Sequence, residues 1–97
     1  MTTTAALDTL LLDQTIDDSV TETAAGHRVT ATTRTTYSTL SEATRGAQFL
    51  LEQILDLGFG VQGGMVGAQR TAAGHWQGEL VDLVLAPVAH PTLVFAA

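Results

Sequence analysis

The chain contains no cysteine, no lysine and no asparagine. Without cysteine there are no disulfides, no thiolate metal sites and no thiol nucleophile. Without lysine, all basic charge rests on Arg28, Arg34, Arg45 and Arg70, against ten Asp and Glu, for a net charge of −6. Nucleic-acid phosphates and anionic lipid surfaces select for basic patches, so neither is an expected partner. Charged residues make up 14% of the chain, well short of the roughly 25% of an ordinary soluble domain. Only two prolines and five aromatic residues are present. No apolar run approaches the length of a membrane span. The N-terminus has no basic region ahead of an apolar one, so no secretion signal is expected. The expected location is the cytoplasm, or an assembly formed there.

What is abundant is alanine, threonine, glycine and leucine. Hydrophobic residues reach 45% over 97 residues, with a mean hydropathy of +0.24. That is enough for one packed domain and too short for two. A small domain has much surface for its volume, and here too few charges exist to cover it. The composition therefore predicts that part of the surface is buried against another chain. It also suits a high-GC coding sequence, such as that of an actinobacterium or one of its phages.

The periodicity predicts an α+β fold: an antiparallel sheet with one main helix packed on it, in the approximate order αββαββ, with a further strand possible. The helix is expected over Leu40–Leu57, where Leu40, Ala43, Ala47, Leu50, Leu51, Ile54 and Leu57 share a face. Thr39 and Glu42 have capping-box spacing, Ser38 is the rival N-cap, and Gly58 is a stop. Gly46 inside this helix marks a close approach by a sheet or a neighbour. Strands are expected at Thr15–Thr23, His27–Tyr37, Val61–Thr71 and His75–Ala86. In the second strand Val29, Ala31, Thr33, Thr35 and Tyr37 fall on one face. In the last, Val81, Leu83 and Leu85 are expected to face the core, with Gln77 and Glu79 continuing that face. Gly63, Gly64 and Gly67 suggest a bulge or close backbone contact. Residues 1–14 are either a short amphipathic helix through Leu7, Leu10 and Leu11 or an arm that docks on another subunit. Residues 92–97 are an edge strand or a tail. Thr23-Ala24-Ala25-Gly26-His27 recurs 48 residues later as Thr71-Ala72-Ala73-Gly74-His75. The recurrence reflects either duplicated helix-plus-hairpin units or chance in a chain rich in these residues.

Catalytic chemistry finds little support. His27, His75 and His90 lack the paired spacing of metal ligands, so no metal is expected. Glu52 and Asp56 share a helical face and read as solvated. Glu79 and Asp82 point to opposite faces of their strand and cannot act as an acid–base pair. Asp82, if buried, needs Arg28 or Arg34. The glycines of Gly58–Gly64 follow a helix and precede a strand, the reverse of a phosphate-binding loop. No catalytic residue, enzymatic activity or cofactor is therefore expected.

Interaction residues are easier to nominate. Trp76, the single tryptophan, fits a core position, a stacking surface or an interface anchor. Leu93, Val94 and Phe95 form an uncharged stretch suited to strand pairing. Leu10 and Leu11 belong with them if the N-terminal segment docks elsewhere. The expected function is a structural subunit of a homo- or hetero-oligomer, with a phage virion or tail component as one setting. The expected partners are copies of the chain itself or other subunits of an assembly.

His75-Trp76-Gln77, coming after a strand and a helix, resembles the dodecins, small flavin-binding β-α-β-β oligomers. The similarity covers that short stretch and the coarse topology. Val61–Thr71 has no aromatic residue to stack on a flavin, and the N-terminal third has no counterpart. What the resemblance implies is an alternative function, a homo-oligomer binding a small ligand such as a flavin, with Trp76 and Tyr37 near the site.

Overall fold

A computed structural model describes residues 2–24 and 26–87 of the chain. The elements run α1 (Thr2–Gln14), β1 (Thr15–Glu22), β2 (His27–Tyr37), α2 (Leu40–Asp56), β3 (Phe59–Arg70) and β4 (Trp76–Pro87). All strand pairs are antiparallel, and the sheet order is β1-β2-β4-β3. The αββαββ α+β architecture expected from periodicity is the one observed. Residues 92–97, and with them Leu93, Val94 and Phe95, lie outside the described residues.

The helical reading of the N-terminal segment holds. Leu7 and Leu11, four apart on α1, are both fully buried. They share one core cluster with Val29 and Ala31 of β2, Ala47, Leu50 and Ile54 of α2, and Leu80, Leu83 and Leu85 of β4. Both helices therefore cover the same face of the sheet. Leu11 belongs to the chain's own core rather than to a docking arm, and Leu10 packs half-buried against it. The end of α1 has neither a glycine cap nor a basic last turn. Arg34 of β2 supplies the missing donors: its guanidinium bonds the carbonyls of Leu12 and Thr15, each at 3.0 Å. A cation at a helix C-terminus also meets the negative end of the helix dipole.

Thr39 caps α2 from an extended backbone, its Oγ1 accepting the Glu42 N–H at 3.1 Å. Ala43, Ala47, Leu50 and Ile54 form the buried stripe. Leu40 departs from the expected face and is 51% exposed. Gly46 is where the Tyr37 ring lies against the helix: a Cβ there would overlap the ring's far end. Gly78 of β4 brings the helix down onto the sheet, since its Cβ would stand 2.5 Å from the Ala43 carbonyl oxygen.

The core face of β4 differs from strict alternation. Gly78, Leu80, Leu83 and Leu85 are buried, whereas Val81, Gln77 and Glu79 are not. The cause is an inserted residue. Asp82 has φ +49, and the register of β4 against both neighbours shifts around it. A one-residue insertion flips the side-chain parity beyond it. The Asp82 N–H donates to Thr30 Oγ1 at 3.1 Å, and Gly64, φ +111, accommodates the displaced backbone. Asp82 itself is exposed and calls for no arginine partner. A second irregularity lies in β2 between Thr32 and Thr36. There Thr33 turns inward, Thr35 becomes exposed, and Tyr37 resumes the helix-side face.

Both recurrent segments are hairpin turns. The N–H of Thr23 bonds the Gly26 carbonyl at 2.8 Å, and the N–H of Thr71 bonds the His75 carbonyl at the same distance. β2 and β4 are adjacent and antiparallel at the centre, so each hairpin forms one half of the sheet. The helices break the match: α1 runs directly into β1, whereas Leu57 and Gly58 separate α2 from β3.

Candidate functional site

Tyr37, Trp76 and Arg70 stand level with one another on β2, β4 and β3. The Arg70 guanidinium carbon is 5.7 Å from the Trp76 ring centroid, within cation–π range. Trp76 is half-buried. The two aromatic residues nominated from sequence are thus cross-strand neighbours at one end of the sheet.

Tyr37 also lines a groove of about 380 Å³ together with Glu42, Arg45, Gly46 and Phe49 of α2. Residues 42, 45, 46 and 49 are successive positions on one helix face. Gly46 removes the side chain that would otherwise fill the floor. Phe49 is 59% exposed, an aromatic wall facing water. The groove has an apolar base and one charge of each sign at its rim. Trp76 adjoins it through Tyr37 without lining it. Phe49 and Arg45 escaped sequence reasoning, because a lone phenylalanine on a polar helix face carries no periodic signal.

His27 and His75 are kept apart by the sheet. His27 is level with Leu85, and His75 precedes Trp76 at the opposite end of β4. His27 is buried, with its ring edge-on to Phe59 at 5.7 Å and Nδ1 without a hydrogen-bond partner among the described residues. His75 is exposed in the turn. Among the described residues no three His, Asp or Glu side chains are grouped to hold a metal ion. Glu52 and Asp56 are exposed on α2. Among the described residues, no helix is long and apolar enough to cross a membrane.

The comparisons with protein-family models, curated proteins and solved structures find no match to this chain. The site has to be read from its own geometry.

The largest departure from an ordinary monomer surface is apolar. Leu12, Ile16, Leu40, Phe49, Leu55, Val61 and Met65 all stand in solvent, with Leu12 at 74% and Met65 at 66% exposure. Among the described residues, the sheet face away from the helices is uncovered. Cross-strand partners share a face, so Gly63 with Val84 and Met65 with Val81 form an apolar patch there. Of the residues nominated for an interface, Trp76 and Leu10 are half-buried and Leu11 is inside. The exposed leucine of α1 is Leu12.

Proposed function

We propose that this chain is a structural subunit that self-associates, its job being to build a homo-oligomer rather than to catalyse a reaction. The carrying observation is the set of large apolar side chains left in water by a chain with too few charges to offset them. Burying one such side chain is worth ~1.5–3 kcal/mol. A symmetric contact covering two or three per copy thus has a substantial driving force. Sedimentation and mass photometry from nanomolar to high micromolar concentration test the proposal. A discrete oligomer with a fixed stoichiometry is expected. A chain that stays monomeric at several hundred micromolar refutes it.

The groove beside Tyr37 and Phe49 favours a second reading, an oligomer that also holds a planar aromatic ligand such as a flavin. Arg45 suits an anionic substituent, and the two rings suit stacking. Titration with flavins and aryl carboxylates, read by Trp76 fluorescence and by calorimetry, tests it. Saturable binding that is lost in Phe49→Ala supports this reading. No heat and no quenching with either ligand class removes it.

A further inference from the structure

We infer that the open edge of β3 is where a second copy of this chain docks, by antiparallel β3–β3 pairing about a two-fold axis at Gly67. The inference rests on the self-association reading and names its surface. Among the described residues, sheet order β1-β2-β4-β3 leaves two edges. An edge strand presents unpaired N–H and C=O groups, and proteins blunt such edges with charge, proline, bulges or short length.

The β1 edge is defended. It has eight residues, carries Asp17, Asp18 and Glu22, follows Asp13, and its register breaks at Ile16. Two copies meeting there would set carboxylates against carboxylates. The β3 edge is the opposite. It has twelve residues, about 40 Å of strand at ~3.3 Å per residue. No charge falls between Asp56 and Arg70, and no proline interrupts it. Its register is broken near Gln62, but Met65 to Arg70 pair with β4 without a shift. This regular run is the template for a neighbour.

Gly67 supplies an independent reason. Gly64 and Gly78 are glycines because the chain's own backbone crowds them. Gly67 has no positive φ, and among the described residues a Cβ there would meet nothing within 4 Å. Glycine weakens a strand unless something needs its lack of a side chain, and another backbone close by is one such need. With the axis at Gly67, the two glycines face each other, Val66 opposes Ala68, and Met65 opposes Gln69. The exposed Met65 side chains then lie over the paired glycines on the helix-free face. The product is one continuous eight-stranded sheet with both sets of helices on the same side.

Gly67→Lys tests the interface, because one chain has room for the side chain whereas pairing would put two ammonium groups opposite each other. At least a tenfold rise in the dissociation constant is expected, with an unchanged far-UV circular dichroism spectrum. Thr21→Lys, at an exposed polar position of β1, should leave it unchanged. Gly67→Cys introduces the only thiol, and mild oxidation should give a covalent dimer, since directly opposed residues meet the Cα separation of a disulfide. Hydrogen exchange on the unmodified chain guards against misfolded variants: amides of residues 64–70 should gain protection as concentration rises. If the chain is monomeric throughout, the self-association reading fails and this inference with it. If it oligomerises without concentration-dependent protection in 64–70, the edge assignment alone is overturned. Protection of β3 equal at every concentration also overturns it, because the edge is then covered within one chain.

Discussion

Thr33 joins the two central strands where their register is irregular, and its hydroxyl is a sensitive place to test the packing account. The residue is buried, at 4% exposure. Its Oγ1 accepts the Gly78 N–H at 2.9 Å and donates to the Thr35 carbonyl at 2.9 Å. Thr33→Val keeps the shape and deletes both bonds. The Gly78 N–H is buried against α2, so losing its acceptor costs ~1–3 kcal/mol. The Thr35 carbonyl belongs to an exposed residue and rehydrates at little cost. The added methyl returns about 0.8 kcal/mol. The expected net loss is about 0.2–2 kcal/mol, a fall in Tm of up to roughly 16 °C for a domain of this size. Thermal and urea unfolding followed by Trp76 fluorescence measure it, at one fixed protein concentration because association shifts apparent stability. Exchange at the Gly78 amide should accelerate as well. A valine variant as stable as the parent, with Gly78 still protected, would show that the hydroxyl does not hold this seam together.

Two glycines at the contact between α2 and the sheet should respond differently to alanine. At Gly78 the new Cβ meets helix backbone, 2.5 Å from the Ala43 oxygen and 2.9 Å from the Ala47 nitrogen. Denaturation of Gly78→Ala should show a loss of about 2–4 kcal/mol through overpacking. At Gly46 it meets only the end of the Tyr37 ring. The ~1 kcal/mol gained in helix propensity should offset the ring's displacement, so urea midpoints stay nearly unchanged while Trp76 emission shifts. Asp82 pays the left-handed cost of an L-residue, so Asp82→Gly should raise stability by about 0.5–1 kcal/mol and Asp82→Val lower it by about 2, read from the same urea curves. Ile54→Ala, which empties a fully buried position, should cost ~2–5 kcal/mol by the same measurement.

The order of elements was legible because it depends on patterns several residues long. The Ala43–Ala47–Leu50–Ile54 stripe and the Thr39 and Gly58 boundaries of α2 are of this kind, as are the β-branched run of β2 and the turn glycines. What failed to show depended on single residues. Alternation through Val81, Leu83 and Leu85 misassigned half of β4, because one left-handed residue reverses the parity beyond it. The signal available was Asp82 itself, a strand-averse residue that tolerates positive φ, set between Val81 and Leu83. Leu10-Leu11-Leu12 fits an inward helix and a docking arm equally well in sequence, and only the position of β2 decides between them. The groove combines Tyr37 with Phe49, which belong to different elements, so no local pattern announces it.

The central seam has a kinetic consequence. Each hairpin closes between neighbours in the chain, but the β2–β4 ladder joins residues as distant as His27 and Leu85, with all of α2 in the intervening loop. The entropy of closing that loop falls on one event. Folding should therefore wait on the meeting of two ready-made halves, and substitutions at Val29 or Leu83 should slow refolding more than substitutions at Val20 do. Were all three to affect refolding alike, the halves would not form ahead of their union.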